Sequence, residues 1–143
     1  MIAVIVIAIL AVDQATKFLI TKNVALHQSI PVIQGIFHIT LIHNRGAAFG
    51  ILRNQLPLFI VTAVVAILLI ALSLRGDHHR RMYRIALALV LAGAVGNLLD
   101  RIFFGYVIDF LDLRVWPVFN VADSAITIGA CMLGLSLLKP EKR

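Results

Sequence analysis

Aspartates lie in or beside apolar stretches long enough to cross a bilayer, and this combination restricts the possible folds most strongly. Four such stretches fill the chain, at about residues 1–20, 56–74, 85–104 and 120–138. Four aspartates are embedded in or lie beside them: Asp13, Asp100, Asp109 and Asp123. An ionisable group at membrane depth costs about 3 kcal/mol or more, so it persists mainly where it faces a protein interior or a wet cavity. We therefore expect these acids to have a function.

The composition indicates an integral membrane protein that is mainly α-helical, with four transmembrane helices. Hydrophobic residues make up 61% of the 143 residues and charged residues 14%, whereas a soluble domain is near half apolar and a quarter charged. The length fits a single domain. The net charge of +6 arises from basic residues spread over the connections between spans. Because this distribution is typical of membrane topology, we expect no nucleic-acid partner.

The positions of Lys and Arg predict the orientation of the spans. Residues 75–84, between the second and third spans, carry four arginines, and the tail after Leu138 carries three more basic residues. Because cytoplasmic loops are rich in Lys and Arg, we expect both termini in the cytoplasm and the four aspartates toward the outer face. Residues 1–12 carry no charge and lack the basic start of a secretory signal peptide. We expect them to be part of a retained first span.

Two segments, 21–55 and 105–119, are predicted to lie at the outer face. Residues 36–42 are rich in β-branched and aromatic side chains, and these alternate with polar side chains. This pattern predicts one or two short strands. The stretch that follows contains Gly46 and reads as a tight turn. The second segment contains Trp116 and is expected at the level of the lipid headgroups, where aromatic rings are favoured.

Small residues recur one helical turn apart in the third and fourth spans. The three pairs are Ala92 and Gly96, Ala125 and Gly129, and Ala130 and Gly134. Such spacing lets helix backbones approach closely in lipid. We interpret it as ordinary packing within the bundle.

Polar residues share helical faces where the third span ends and the fourth begins. In the third span, Asn97, Asp100 and Arg101 are spaced i, i+3 and i+4. In the fourth, Asn120 and Asp123 are spaced i and i+3, so the residues of each set lie on one helical face. If the two helices are neighbours, one pocket collects carboxylates, amides and a guanidinium. Its members would be Asn97, Asp100, Arg101, Asp109, Asn120 and Asp123.

Two neighbouring carboxylates in such a pocket can hydrolyse an amide bond. They cannot both ionise cheaply, so one keeps its proton. The charged member takes a proton from water while the protonated member hydrogen-bonds the scissile carbonyl. This chemistry needs neither a metal nor a cofactor, and we expect none. The pattern leaves open whether Asp100 or Asp109 is the partner of Asp123, although the apolar neighbours of Asp109 favour that residue.

The same residues also fit structural roles. Asp100 lies beside Arg101, which predicts a structural ion pair. Asn120 fits the N-cap of the fourth helix, with Asp123 in its first turn, where the helix dipole favours a negative charge. We expect Asp112 to be solvated and inert.

The sequence argues against three alternative functions. A proton-coupled transporter would place its acid near the middle of the membrane, and the third span has none there. A serine–lysine peptidase would use Ser124 with Lys17, but Lys17 lies one turn from Asp13 and is expected to pair with it. A metal site at His38 and His43 lacks a recognised ligand spacing.

Five short blocks, taken in order, resemble the bacterial lipoprotein signal peptidases (signal peptidase II). Each block alone is a weak signal, but the ordered set covers nearly the whole chain and is specific. The blocks are Asp-Gln-Ala-Thr-Lys at 13–17, Asn-Arg-Gly-Ala-Ala-Phe at 44–49, Gly-Asn-Leu-Leu-Asp-Arg at 96–101, Val-Ile-Asp-Phe at 107–110 and Phe-Asn-Val-Ala-Asp-Ser at 119–124.

The resemblance implies an aspartic endopeptidase that removes the signal peptide from diacylglyceryl-modified prolipoproteins. Cleavage would fall before the lipidated cysteine, at the outer face of the cytoplasmic membrane. The resemblance assigns catalysis to Asp109 and Asp123, and a supporting role to Asp13 and Lys17. It also implies contact with membrane lipid and inhibition by cyclic peptides such as globomycin; we expect a monomer. The pocket positions that match the family are Asn44, Gly46, Asn97, Asp100, Arg101 and Asn120.

Overall fold

The computed structural model describes residues 1–46, 54–76 and 81–138. This part of the chain is mainly helical with one small sheet, as predicted. Of the described helices, three are long and apolar enough to cross a membrane, Ile2–Asn23, Leu56–Arg75 and Arg81–Phe104, whereas the apolar stretch of a fourth is shorter, Val121–Ser136. Each predicted span coincides with one helix to within a few residues. The elements in order are α1 (Ile2–Asn23), β1 (Ser29–Ile33), β2 (Phe37–Asn44), α2 (Leu56–Arg75), α3 (Arg81–Phe104), β3 (Val107–Asp112) and α4 (Val121–Leu138).

The sheet is antiparallel, with the strands in the order β1–β2–β3. The prediction of one or two short strands in residues 21–55 is confirmed by β1 and β2. The third strand, β3, lies in the second outer segment and was not predicted. β3 pairs with β2 so that Asp109 lies opposite Ile42 and Val107 lies opposite Asn44. The strand is short and carries aspartates within a buried apolar run, so its sequence lacks the alternation that marks a half-exposed strand.

Helix α3 contacts all three other helices, and its contact with α4 depends on small residues. Ala92, Gly96, Ala125 and Gly129 are buried, as the spacing predicted. A β-carbon on Gly129 would lie 2.7 Å from the Ala86 carbonyl oxygen, so the backbones touch there. The third predicted pair is different. Ala130 and Gly134 are exposed, and within the described residues no atom outside the local helix backbone lies within 4 Å of a β-carbon built on Gly134.

Polar groups occupy the interior of the bundle, and large apolar side chains face outward. In α1 the buried residues are Asp13 and Lys17, and α2 buries none. Leu69 and Phe103 are among many exposed large apolar residues. This distribution fits helices surrounded by lipid, where the apolar face needs no cover and the charged groups must find partners inside.

The sheet lies at the end of the bundle where α1 and α3 end and α4 begins. Asp100, Asp109 and Asp123 therefore lie toward one end of the bundle, whereas Asp13 lies midway along α1 and reaches the start of α4 through the Ala122 backbone N–H. Parts of three predictions lie outside the described residues. These are residues 47–53 of the predicted outer segment 21–55, residues 47–50 of the predicted turn and, among the basic residues used to predict orientation, Arg80, Lys139, Lys142 and Arg143.

Candidate active site

Asp109 on β3 and Asp123 in the first turn of α4 line the same cavity at the sheet end of the bundle. The cavity has a volume of about 490 Å³ and lies between α2, α3, α4 and the segment 116–119. Of the predicted pocket residues, four line it together with the two aspartates: Asn44, Gly46, Asn97 and Arg101.

Two asparagines connect the two carboxyl groups. The Asn120 side-chain nitrogen donates to Asp109 Oδ1 at 2.8 Å and to Asn97 Oδ1 at 3.1 Å. The Asn97 nitrogen in turn donates to Asp123 Oδ1 at 2.7 Å. Asn120 is fully buried. Because each amide presents its nitrogen and its oxygen to different partners, neither can flip without losing hydrogen bonds, and both carboxyl groups are held in place.

Asn120 also caps α4, as the sequence predicted. Its Oδ1 accepts a hydrogen bond from the Asp123 backbone N–H at 2.8 Å, and its own N–H donates to Asp123 Oδ2 at 3.2 Å. This reciprocal arrangement has the geometry of a capping box, with aspartate in place of the usual glutamate. The cap uses the oxygen of the Asn120 amide and the link to Asp109 uses its nitrogen, so one side chain ties the start of α4 to β3.

The environment of Asp109 favours the protonated form of its carboxyl group. Burial and then the nearby charge of Asp123 raise the pKa of Asp109 to about 7. Hydrogen bonds from Asn44 and Asn120 and the charge of Lys17 act in the opposite direction but do not cancel the effect. The Asn44 hydrogen bond joins its side-chain nitrogen to Asp109 Oδ2 at 2.9 Å. A carboxyl group that titrates near neutral pH is suited to general acid–base work.

A buried ion cluster lies behind the cavity. The Lys17 ammonium is 2.9 Å from Asp13 and 2.8 Å from Asp100, and all three side chains are at most 2% exposed. The Asp13–Lys17 pair is confirmed. Asp13 also accepts from the Ala122 backbone N–H at 2.9 Å and Asp100 from that of Ile108 at 3.0 Å. The cluster therefore joins α1, α3, β3 and the start of α4.

The predicted ion pair between Asp100 and Arg101 is wrong. Asp100 pairs with Lys17, behind the cavity. Arg101 lines the cavity, and its guanidinium carbon lies 5.0 Å from the centre of the Phe59 ring. Adjacent residues on a helix point in different directions, which explains why neighbours in sequence do not pair here. Asp100 and Asn120, both predicted for the pocket, thus lie directly behind its lining.

Asp112 is buried on β3, so the prediction of a solvated residue is wrong. It is 5% exposed, accepts a hydrogen bond from Thr40 at 2.7 Å and pairs with Arg114 at 3.0 Å. These contacts hold the end of the sheet. Asp112 does not line the cavity that contains Asp109 and Asp123.

Helix α2 contributes to the cavity, which was not predicted from the sequence. Phe59, Thr62 and Ala63 line it opposite α4. The uniformly apolar sequence of this helix gives no signal for such a role, because its facing side is set only by packing against α3.

The residues of the alternative mechanisms are engaged elsewhere. The Ser124 hydroxyl donates to the Asn120 backbone oxygen at 3.0 Å, while Lys17 is bound in the ion cluster. His38 lies 3.0 Å from the Ser29 hydroxyl, and His43 stacks on Tyr106 with ring centres 3.9 Å apart. Among the described residues, no group of three His, Cys, Asp or Glu is positioned to hold a metal.

Comparison with known proteins shows which family the chain belongs to. A family model described as "Signal peptidase (SPase) II" matches residues 5–139. The chain belongs to the signal peptidase II family. The resemblance seen in the five sequence blocks is thereby confirmed, and this member of the family is a peptidase.

Similar proteins cover nearly the whole of this signal peptidase II family member. The "Lipoprotein signal peptidase" of Moorella thermoacetica is 50% identical over 133 residues, covering 92% of this chain and 89% of the relative. That of Halothermothrix orenii is 44% identical over 142 residues, covering 99% and 98%.

Two solved structures have the same fold as this family member. One, described as a "Bacterial membrane enzyme structure by the in meso method" at 2.3 Å, has a TM-score of 0.93 and 32% identity, and covers 99% of this chain and 93% of that one. The other, with the same description at 1.9 Å, has a TM-score of 0.89 and 31% identity, and covers 98% and 94%. Together with the long apolar helices, these matches indicate a membrane location.

Proposed function

We propose that this peptidase is an aspartic endopeptidase that removes the signal peptide from diacylglyceryl-modified prolipoproteins. Asp109 and Asp123 are its catalytic pair. The observation that carries the proposal is that these two carboxyl groups line one cavity and are linked through Asn120 and Asn97. The raised pKa of Asp109, about 7, supports a pair that shares one proton near neutral pH.

The pair supplies an acid and a base to the same peptide bond. The ionised carboxylate takes a proton from a water molecule, whose oxygen forms a bond to the scissile carbonyl carbon. The protonated carboxyl gives its proton to the carbonyl oxygen, forming a neutral tetrahedral intermediate. When the C–N bond breaks, the proton held by the base passes to the leaving amine, and the other carboxyl recovers its proton. The pair titrates as a unit, so these roles belong to the two residues together.

The position of the site fits a substrate anchored in lipid. A signal peptide enters as an apolar segment, and the cavity opens between the apolar helices α2 and α4, where Phe59 and Ile126 form part of the lining. A cysteine that carries diacylglycerol would hold the scissile bond at the membrane surface. In this proposal α4 is the fourth membrane span, the termini are cytoplasmic and the sheet lies at the outer face of the bacterial cytoplasmic membrane. The protein acts as a monomer, and a cyclic peptide such as globomycin competes for the cavity.

The test is cleavage of a synthetic diacylglyceryl lipopeptide by purified protein in detergent micelles. We expect Asp109→Asn and Asp123→Asn each to reduce kcat by at least roughly 1000-fold, because an amide cannot exchange the proton. Asp112→Asn is the matched control, since Asp112 lies on the same strand but outside the cavity. We expect it to retain activity.

Two further measurements separate this proposal from other mechanisms. The same peptide without the lipid should be a poor substrate, and a chelator or a serine reagent should leave the rate unchanged. Full activity in Asp109→Asn or Asp123→Asn would refute the catalytic pair, provided that both variants unfold at the same temperature as the unmodified protein.

A further inference from the structure

A second cavity lies on the exposed side of α4, next to the catalytic cavity. Its volume is about 370 Å³. We call it the side groove, and define it by five residues that give it its shape: Leu113 and Trp116 from the loop after β3, and Ser124, Thr127 and Ile128 from α4.

The side groove and the catalytic cavity meet at Asp123. Trp116, Phe119 and Thr127 also line both spaces. Asp123 and Thr127 lie one helical turn apart and form the ridge between the two. From this ridge the catalytic cavity extends toward α2 and α3, and the side groove extends around the other side of α4. The cavity system therefore branches at one of the two proposed catalytic carboxyl groups.

The side groove is open to the surroundings of the bundle and is largely apolar. Leu113 is 40% exposed, Trp116 59% and Ile128 55%. In a membrane protein these side chains meet hydrocarbon or the interfacial region. A ligand that enters the groove from the side would therefore be a flexible apolar chain.

We infer that the side groove binds an acyl chain of the diacylglyceryl group of the substrate. This inference rests on the proposed function. A lipidated cysteine that directly follows the scissile bond makes the substrate branch next to the reacting atoms. The signal peptide and the lipid must therefore leave the site in different directions. The catalytic cavity between α2 and α4 takes the peptide, and the side groove takes the lipid.

The groove contributes by orienting the substrate. Lipid tails are as apolar as the groove, so moving an acyl chain out of the bilayer gains little from the hydrophobic effect. A chain seated beside Asp123, however, fixes the position of the adjacent peptide bond. A misplacement of about 1 Å can cost roughly 100-fold in rate. The groove should therefore affect kcat/KM in a manner that depends on the acyl chain.

The test compares two lipopeptides that differ only in their acyl groups, palmitoyl in one and acetyl in the other. Ile128→Trp fills the groove. Leu135→Trp is the matched control, because Leu135 lies two turns further along the same helix and is 58% exposed, close to the 55% of Ile128. We expect the palmitoyl-to-acetyl ratio of kcat/KM to fall roughly tenfold in Ile128→Trp, because only a long chain needs the groove. The ratio should stay unchanged in Leu135→Trp.

An unchanged ratio in Ile128→Trp, or an equal fall in both variants, would overturn the inference. A lipopeptide with a photoreactive palmitoyl chain gives a second measurement on the inactive Asp109→Asn protein. Cross-links should map to the side groove, at Leu113, Trp116 or Ile128, whereas cross-links confined to α2 would overturn the inference. If the unmodified protein cleaves neither lipopeptide, it is the proposed function that fails.

Discussion

The Lys17 ammonium lies 3.1 Å from the Asn97 side-chain oxygen, and this contact, together with the hydrogen bond from Asn120, determines which end of the Asn97 amide faces Asp123. Because the oxygen accepts from Lys17, the nitrogen is left to donate to Asp123 at 2.7 Å. Lys17 is itself fixed by Asp13 and Asp100, at 2.9 and 2.8 Å. A buried cation that does not line the cavity therefore orients a group that does.

Removing the buried cation should destabilise the fold. Lys17→Met leaves the carboxylates of Asp13 and Asp100 buried without their charge partner. Breaking a buried ion pair in this way costs about 3–5 kcal/mol. Chemical unfolding in detergent micelles measures the difference. Lys22→Met is the control, because Lys22 is exposed near the end of the same helix, and it should change the unfolding free energy by less than about 0.5 kcal/mol.

A triple variant tests whether unpaired charge is the cause. Asp13→Asn, Lys17→Met and Asp100→Asn together remove every charge of the cluster, and should recover part of the stability that Lys17→Met loses. If the triple variant is less stable than Lys17→Met, hydrogen bonds or packing rather than charge would dominate at this position.

Replacing the Asn97 amide by a carboxylate should reduce activity while preserving the fold. Asn97→Asp keeps the shape and can still pair with Lys17, but it cannot donate to Asp123 and adds a negative charge beside it. A hydrogen bond to a charged group is worth about 1.5–3 kcal/mol, so we expect kcat/KM to fall roughly 10- to 150-fold. Asn23→Asp at the exposed end of α1 is the control. Activity equal to that of the control would contradict the role of the amide.

The pH dependence of activity should respond to Asn44. Its hydrogen bond lowers the pKa of Asp109, which nevertheless lies at about 7. The proton shared by Asp109 and Asp123 is lost as the pH rises through this value, so kcat/KM should fall on the alkaline side. Asn44→Ala removes the hydrogen bond, raises the pKa of Asp109 further and should move the alkaline limb upward by about one pH unit.

Thr40→Val provides the control for this shift, because Thr40 lies on the same strand but donates to Asp112. Its alkaline limb should coincide with that of the unmodified protein. A downward shift in Asn44→Ala, or an equal shift in both variants, would show that another group controls the limb.

Two glycines of α4 should respond oppositely to the same substitution. In Gly129→Ala the new methyl group would lie 2.7 Å from both the Ala86 carbonyl oxygen and a Val90 methyl carbon. Overpacking of this kind costs about 1–3 kcal/mol. Gly134→Ala meets open space among the described residues and should stabilise the helix by about 0.5–1 kcal/mol. Chemical unfolding of both variants under the same conditions measures the two changes in unfolding free energy. A stabilised Gly129→Ala variant would mean that α3 and α4 do not touch there.

Contacts within one helix were readable from the sequence. Asp13 and Lys17 are one turn apart and pair as expected, and Asn120 caps the helix whose first turn carries Asp123. The helical period fixes such neighbours before any other element is in place. The membrane character of the helices is likewise a property of composition and length, because lipid imposes both.

Contacts between elements were decided only by the tertiary structure. Asp100 pairs with Lys17 across α1 and α3 rather than with adjacent Arg101. The links between the proposed catalytic residues, from Asp109 to Asn120 and from Asn97 to Asp123, also cross between elements. Each of these side chains had several possible partners at the sequence level. The choice depends on how β3 registers against β2 and how closely the small residues let α3 approach α4, and no local pattern encodes either distance.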